Sequence, residues 1–172
     1  IHQGNQQLRL SNNKILNFPL HLQNGVEVIY LRRGNTVLHY GGKKHLMEPG
    51  DLLIVFPSMV HGFTDSADTD SIMMLIPIDD TGSFRSFLER KEPASPILKK
   101  SVWAETGLDQ ILEMAYRDWS KSTVAVQQGY ILLVLGKLIP LLSLTDRTPG
   151  SGDALHKAMT YLHEHYTEPI TR

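Results

Sequence analysis

Pro19-Leu20-His21-Leu22-Gln23-Asn24-Gly25-Val26-Glu27-Val28-Ile29-Tyr30-Leu31-Arg32-Arg33-Gly34 is the stretch on which the fold turns. His21 and Gln23 alternate with leucine and asparagine. A single carboxylate follows at Glu27, inside a run of β-branched, aromatic and aliphatic residues. Arg33-Gly34-Asn35 closes the run, so residues 26–31 read as a strand bounded by a turn. Side chains alternate along a strand, so Glu27, Ile29 and Leu31 share one face. One charge on an otherwise apolar inward face is what a small-molecule pocket uses to orient its ligand. A second stretch, Gly50-Asp51 followed by Pro57 and His61, brings another imidazole from a separate strand.

Outward from these stretches the first half continues as short β segments. Residues 7–16, 36–40, 43–47, 52–56, 60–64 and 71–78 are apolar or β-branched runs separated by turn formers. Gly41-Gly42 reads as a hairpin turn and not as a phosphate loop, because no helix follows it. Strands this short and this evenly spaced predict a sandwich or barrel rather than a parallel sheet.

The second half changes period. Residues 80–90 read as a short helix broken by Pro93 and Pro96. Leu108, Ile111, Leu112, Ala115 and Trp119 form a helical stripe. Residues 124–144, from Val124 to Leu144, are apolar on more than one face, and Pro140 is placed to kink or end that helix. Such a helix is either packed on several sides or packed on one and paired with a second copy of the chain. Thr145 to Gly152 reads as a polar linker. Asp153 caps one more amphipathic helix, ended by Pro169. The segment around residues 131–144 reads as too short and interrupted to span a bilayer. The predicted class is α+β, a β-barrel followed by helices.

The chain has 172 residues, which suits one domain or one domain plus part of another. A formal net charge of −1 excludes a chain-wide basic clamp for nucleic acid. The absence of cysteine removes disulfide scaffolds, iron–sulfur clusters and thiol nucleophiles. No Gly-x-Ser-x-Gly elbow is present. An opening at Ile1 and an end at Arg172 read as a fragment of a longer parent.

The spacing H-x-Q-x3-E-x6-G from His21 to Gly34 resembles the first cupin motif, and Gly50…Pro57…His61 resembles a shortened second one. More closely, the whole pattern from Pro19 to His61 resembles the N-terminal sensor domain of AraC-type transcriptional regulators. Ala158 to Thr171 is similar to the opening helix and turn of the DNA-binding domain of the same family. The resemblance implies a cupin-like antiparallel β-barrel or jelly roll, followed by an α-helical linker and dimerisation region. It divides the chain into a sensor domain (1–100), a helical region (101–147) and the start of a truncated helix-turn-helix domain (148–172). It further implies a cytoplasmic homodimer, paired through the Val124 to Leu144 helix, that binds a small effector, often a sugar, and is not an enzyme. The parent would bind DNA; this chain stops before any recognition helix, and no membrane is involved.

The residues expected at the effector are His21, Gln23, Glu27, Tyr40 and His61. His39 and Tyr40 are adjacent, so at most one of them is expected to face the pocket. His21 is also readable as an exposed turn histidine. Glu27 is also readable as the rim partner of Arg32 or Arg33. Trp103 and Trp119 read as core. His21, Glu27 and His61 retain three metal-type ligands, but Gln23 replaces the second histidine of the metal-binding cupin motif and is a poor ligand. The expectation is therefore no metal, no cofactor and no catalytic residue. The alternative is a metal-dependent cupin enzyme, a dioxygenase or isomerase, using His21, Glu27 and His61. A barrel filled by bulky apolar side chains would instead mark a purely structural dimerisation module.

Overall fold

The computed structural model describes residues 9–13 and 16–147. The helix and turn expected beyond residue 148 lie outside these. Among the described residues seven strands make one antiparallel sheet: β1 (Arg9–Asn13), β2 (Phe18–His21), β3 (Gly25–Tyr40), β4 (Lys43–Met47), β5 (Leu52–Val55), β6 (His61–Pro77) and β8 (Ile97–Leu98). β7 (Lys91–Pro93) and β9 (Leu144–Asp146) form a separate two-stranded sheet. The helices are α1 (Arg85–Arg90), α2 (Lys100–Trp103), α3 (Leu108–Asp118) and α4 (Val124–Leu138). The fold is α+β and cupin-like, as the sequence leads one to expect.

Two long strands build it. β3 and β6 pair along most of their lengths, from Gly25↔Pro77 to Tyr40↔His61. The first half of β3 also pairs with β5, and the second half with β4. The runs at 26–31 and 36–40 are thus one strand, not two. The reason is Gly34, at φ 75°, which makes a bulge rather than a turn. The register with β6 shifts on both sides of it. A Cβ at Gly34 would stand 2.9 Å from the Asp68 carbonyl oxygen and the Thr69 Cα, so the close approach admits only glycine. The two runs expected at 60–64 and 71–78 are likewise joined in β6.

Strand alternation sorts the side chains into two cores. Ile29, Leu31, Leu38, Leu53, Val55 and Phe63 meet inside the barrel. Val26, Val28, Ile54 and Met74 face the other way, onto Trp103, Leu112, Val134 and Leu138 of the helices. Both faces of β5 and of the first half of β3 are therefore buried, which explains their nearly unbroken apolar sequences. The Trp103 indole N–H donates to the Gly50 carbonyl at 3.1 Å, and its ring meets Tyr30 edge-on at 5.4 Å. Trp119 is partly buried against the same core.

Three other expectations change. Residues 80–90 are not one helix: a 3-10 segment (Ile78–Phe84) precedes α1, because Gly82 adopts φ 57° and ψ −129°. Thr145 and Asp146 are not linker; they pair with Glu92 and Lys91 across the β7–β9 sheet. The apolar segment is longer than residues 131–144. Val124–Leu141 is long and apolar enough, by length and composition alone, to cross a membrane, with mean hydropathy 1.5. Within it Ile131, Val134, Leu135, Leu138 and Ile139 are buried in the core. Thr123 caps α4 by accepting from the Val126 N–H at 3.4 Å, and the helix gives way to a 3-10 turn (Ile139–Leu141) at Pro140.

Candidate functional site

Two separate features contain the residues singled out from the sequence. The first is a polar cluster inside the barrel. β2 crosses β6 so tightly that a Cβ on Gly62 would stand 2.9 Å from the Leu20 nitrogen and the Phe18 oxygen. This approach, with His21 paired opposite His61, sets the two imidazole rings 4.3 Å apart by centroid. Each ring has its Nδ1 at 2.9 Å from a backbone carbonyl, that of Pro19 for His21 and that of Met59 for His61. A carbonyl only accepts, so each Nδ1 carries its proton and donates it there.

Glu27 is buried on β3, in the same cluster. Its Oε2 accepts from Gln23 Nε2 at 3.0 Å and lies 3.6 Å from His61 Nε2. Its Oε1 has no partner among the described residues, and neither does His61 Nε2. Burial works against a charged His61, but Glu27 and the Met59 carbonyl outweigh it, and the His61 pKa lies above its ordinary value. Arg32 and Arg33 are not Glu27's partners: Arg32 bonds Asp70 and Glu113, and Arg33 bonds Asp68.

His21, Glu27 and His61 each offer a ligand atom, all within 4.8 Å of one another. Metal-binding histidines typically donate their second ring N–H to a carbonyl or carboxylate, which fixes the tautomer that leaves Nε2 free. Both histidines here do so. Two imidazoles and a carboxylate suit zinc or iron(II). With the two unpartnered buried atoms, the residues fit a divalent transition metal.

The second feature is a cleft of about 680 Å³ beside the Gly41-Gly42 turn of the β3–β4 hairpin. Of the five expected residues only Tyr40 borders it; His21, Gln23, Glu27 and His61 do not. His39 borders it as well, contrary to expectation, because the cleft wraps the hairpin's end, which is reached from either face. The Tyr40 hydroxyl donates to the Met59 sulfur at 2.9 Å, a weak acceptor. Burial, then Glu92, push the Tyr40 phenol up and Arg147 opposes them, so it stays a donor. The far wall comes from β7, β9 and Arg147, whose Nη2 donates to the Pro57 carbonyl at 2.8 Å. Lys43 and Lys44 are visible in the sequence as a basic pair after the turn. Arg147 carries no local signal, since its partner lies 90 residues away.

The description "AraC-like ligand binding domain" belongs to a family model that matches residues 1–99. The chain belongs to this family. No curated protein sequence matches it. Among solved structures, the AraC-like transcriptional activator CuxR superposes with a TM-score of 0.58 at 14% identity, over 87% of this chain and 54% of that one. An apo ToxT variant from Vibrio cholerae gives 0.55 at 10% identity, over 99% of this chain and 69% of that one. ToxT from Vibrio cholerae O395 gives 0.51 at 10% identity, over 96% and 65%. At these identities the likeness is one of fold. The AraC-like chain thus spans about half the length of CuxR. Residues 1–99 are its ligand-binding domain.

Proposed function

We propose that this AraC-like chain is the effector-sensing and dimerisation part of a transcriptional regulator. Residues 1–100 sense a small molecule such as a sugar, 101–147 transmit and dimerise, and 148–172 begin a helix-turn-helix domain. The longer parent binds DNA in the cytoplasm. The observation that carries this reading is the cleft, walled on one side by the barrel at Tyr40 and on the other by β9, the strand from which the chain runs on toward residue 148. A ligand that prefers one placement of β9 shifts the placement of whatever follows it; a ligand with equal affinity for both shifts nothing. His21, Gln23, Glu27 and His61, the polar cluster inside the barrel, complete the proposed ligand-responsive set with Tyr40.

Dimerisation is assigned to α4. Val124, Val126, Leu132 and Leu133 are large apolar side chains that it leaves exposed. Exposed apolar side chains on a helix are what a second helix packs against. A thermal-shift screen of the chain against sugars, organic acids and divalent metals tests the sensing reading. A ligand that binds only the folded state raises the melting temperature. A flat response to every class counts against it.

A second reading is favoured by the unpartnered Glu27 Oε1 and His61 Nε2: a divalent metal held by His21, Glu27 and His61, as in a metal-dependent cupin enzyme. A bound metal would supply Lewis-acid chemistry there. Elemental analysis of the purified protein separates the readings, since a stoichiometric metal lost in His61→Ala supports the second.

A further inference from the structure

We infer that the cleft beside the β3–β4 hairpin takes a polyhydroxylated organic anion, a sugar acid or sugar phosphate, which fastens the linker strand β9 to the barrel. The inference rests on the sensing reading above and adds the ligand's chemical class and its place.

The charge on the cleft walls sets the class. Lys43, Lys44 and Arg147 border it against the single carboxylate of Glu92. Among the described residues neither Lys43 nor Lys44 has an ion-pair partner. Arg147 is pinned by its bond to the Pro57 carbonyl, while its buried Nε has no acceptor. The Tyr40 hydroxyl meets only a thioether sulfur. The site therefore holds an excess of donors and of positive charge, partly shielded from water. An anion with acceptor oxygens satisfies both, and a partly enclosed cleft lined by one sign of charge concentrates such ligands. Ser58, Thr145 and Glu92 border the same space and are suited to ligand hydroxyls. Its volume falls within the range of ordinary small-ligand sites.

The position sets the consequence. β9 is held to β7 by three residue pairs, by the exposed Lys91–Asp146 ion pair at 2.7 Å, and at its two ends by the Ala94 N–H donating to the Ser143 carbonyl and the Arg147 N–H donating to the Arg90 carbonyl, both at 2.8 Å. Two strands this short are marginal by themselves. Lys43 and Lys44 stand on the barrel hairpin and Arg147 at the end of β9, so one anion touching both ties the strand down.

The whole chain, isotopically labelled, is titrated with glucuronate and glucose 6-phosphate at up to about 10 mM, well into the range where weak site binding shows. Glucose serves as the neutral counterpart and inorganic phosphate as the bare anion. The expected result is that the organic anions shift the amide resonances of Tyr40 to Lys44 and of Thr145 to Arg147, and slow hydrogen exchange at β9. Binding weakens with added salt, and at least about tenfold in the folded double variant K43E/K44E. Glucose binding as tightly as glucuronate overturns the assignment. So do phosphate binding as tightly as either organic anion, shifts centred on Glu27 and His61, or no shift with either anion. If K43E/K44E does not fold, the salt dependence and K43A/K44A decide in its place. Neutral sugar binding elsewhere in the barrel would leave the sensing reading standing and remove only this one.

Discussion

His61 Nε2 lies 3.6 Å from Glu27 Oε2, inside the barrel and with both side chains buried. The gap is too long for a good hydrogen bond and too short for two groups indifferent to each other. A buried carboxylate needs compensation, which here comes from the Gln23 amide and the nearby imidazole. The first prediction follows from that pair. Glu27 and the Met59 carbonyl raise the His61 pKa above 6.5 despite burial. A pKa raised on folding means the stabilisation is complete below the unfolded value and is lost as pH climbs through the folded one. Urea unfolding from about pH 5.5 to about pH 9 should therefore show stability falling in the native chain, with that fall removed in His61→Gln. Parallel curves for the two proteins would show that His61 is not the group responsible.

Gly62 is where β2 touches β6. In Gly62→Val the added atoms meet backbone at 2.9 Å, which cannot give way as a flexible side chain would. The variant should lose about 2 kcal/mol or more of stability by denaturant titration. The ring resonances of His21 and His61 should move as β2 lifts. A loss below about 0.5 kcal/mol would mean that the crossing is loose.

Trp103 joins the outer core to the turn at Gly50. Trp103→Phe keeps most of the apolar contact but strands the Gly50 carbonyl, at a cost of about 1–3 kcal/mol. Trp103→Ala also opens a cavity and should cost about 3–5 kcal/mol. Equal losses in the two variants would assign nothing to the ring itself.

Leu133 is 49% exposed on α4. A charge there disturbs little in the single chain, so Leu133→Glu should change its unfolding free energy by less than about 0.5 kcal/mol. If α4 pairs two copies, the same change should halve the mass found by light scattering, because a carboxylate buried in an apolar interface is costly. An unchanged dimeric mass would move the interface elsewhere.

Much of this was legible in the linear chain. The placement of Ile29 and Leu31 on the same face as Glu27 follows from strand alternation, and the structure puts all three on the inner side of β3. The stripe of α3, the buried set from Ile131 to Ile139 and the stop at Pro140 follow from helical period and from the missing proline N–H. The pairing of Gln23 with Glu27 was within reach, since the two are only four residues apart. Gly34 reads as a turn in the sequence and is a bulge in the structure. A left-handed glycine serves turn and bulge equally, and the choice between them belongs to the strand that passes opposite, at Asp68 and Thr69.

By itself the sequence determined the change from strands to helices near residue 78, the faces that the first half of β3 and α3 bury, and the family. These depend on steric and solvation preferences that act within a few residues of each position. The tertiary structure alone decided that His21 stacks on His61, that Asp51 at the Gly50 turn is bonded by Lys99, and that β9 returns to β7. It also placed a cleft at the hairpin's end, with Arg147 in its wall and Glu27 outside its lining. Those relationships join residues dozens of positions apart. No local preference encodes them, because they exist only once the long strands have bent at their bulges and brought distant segments together.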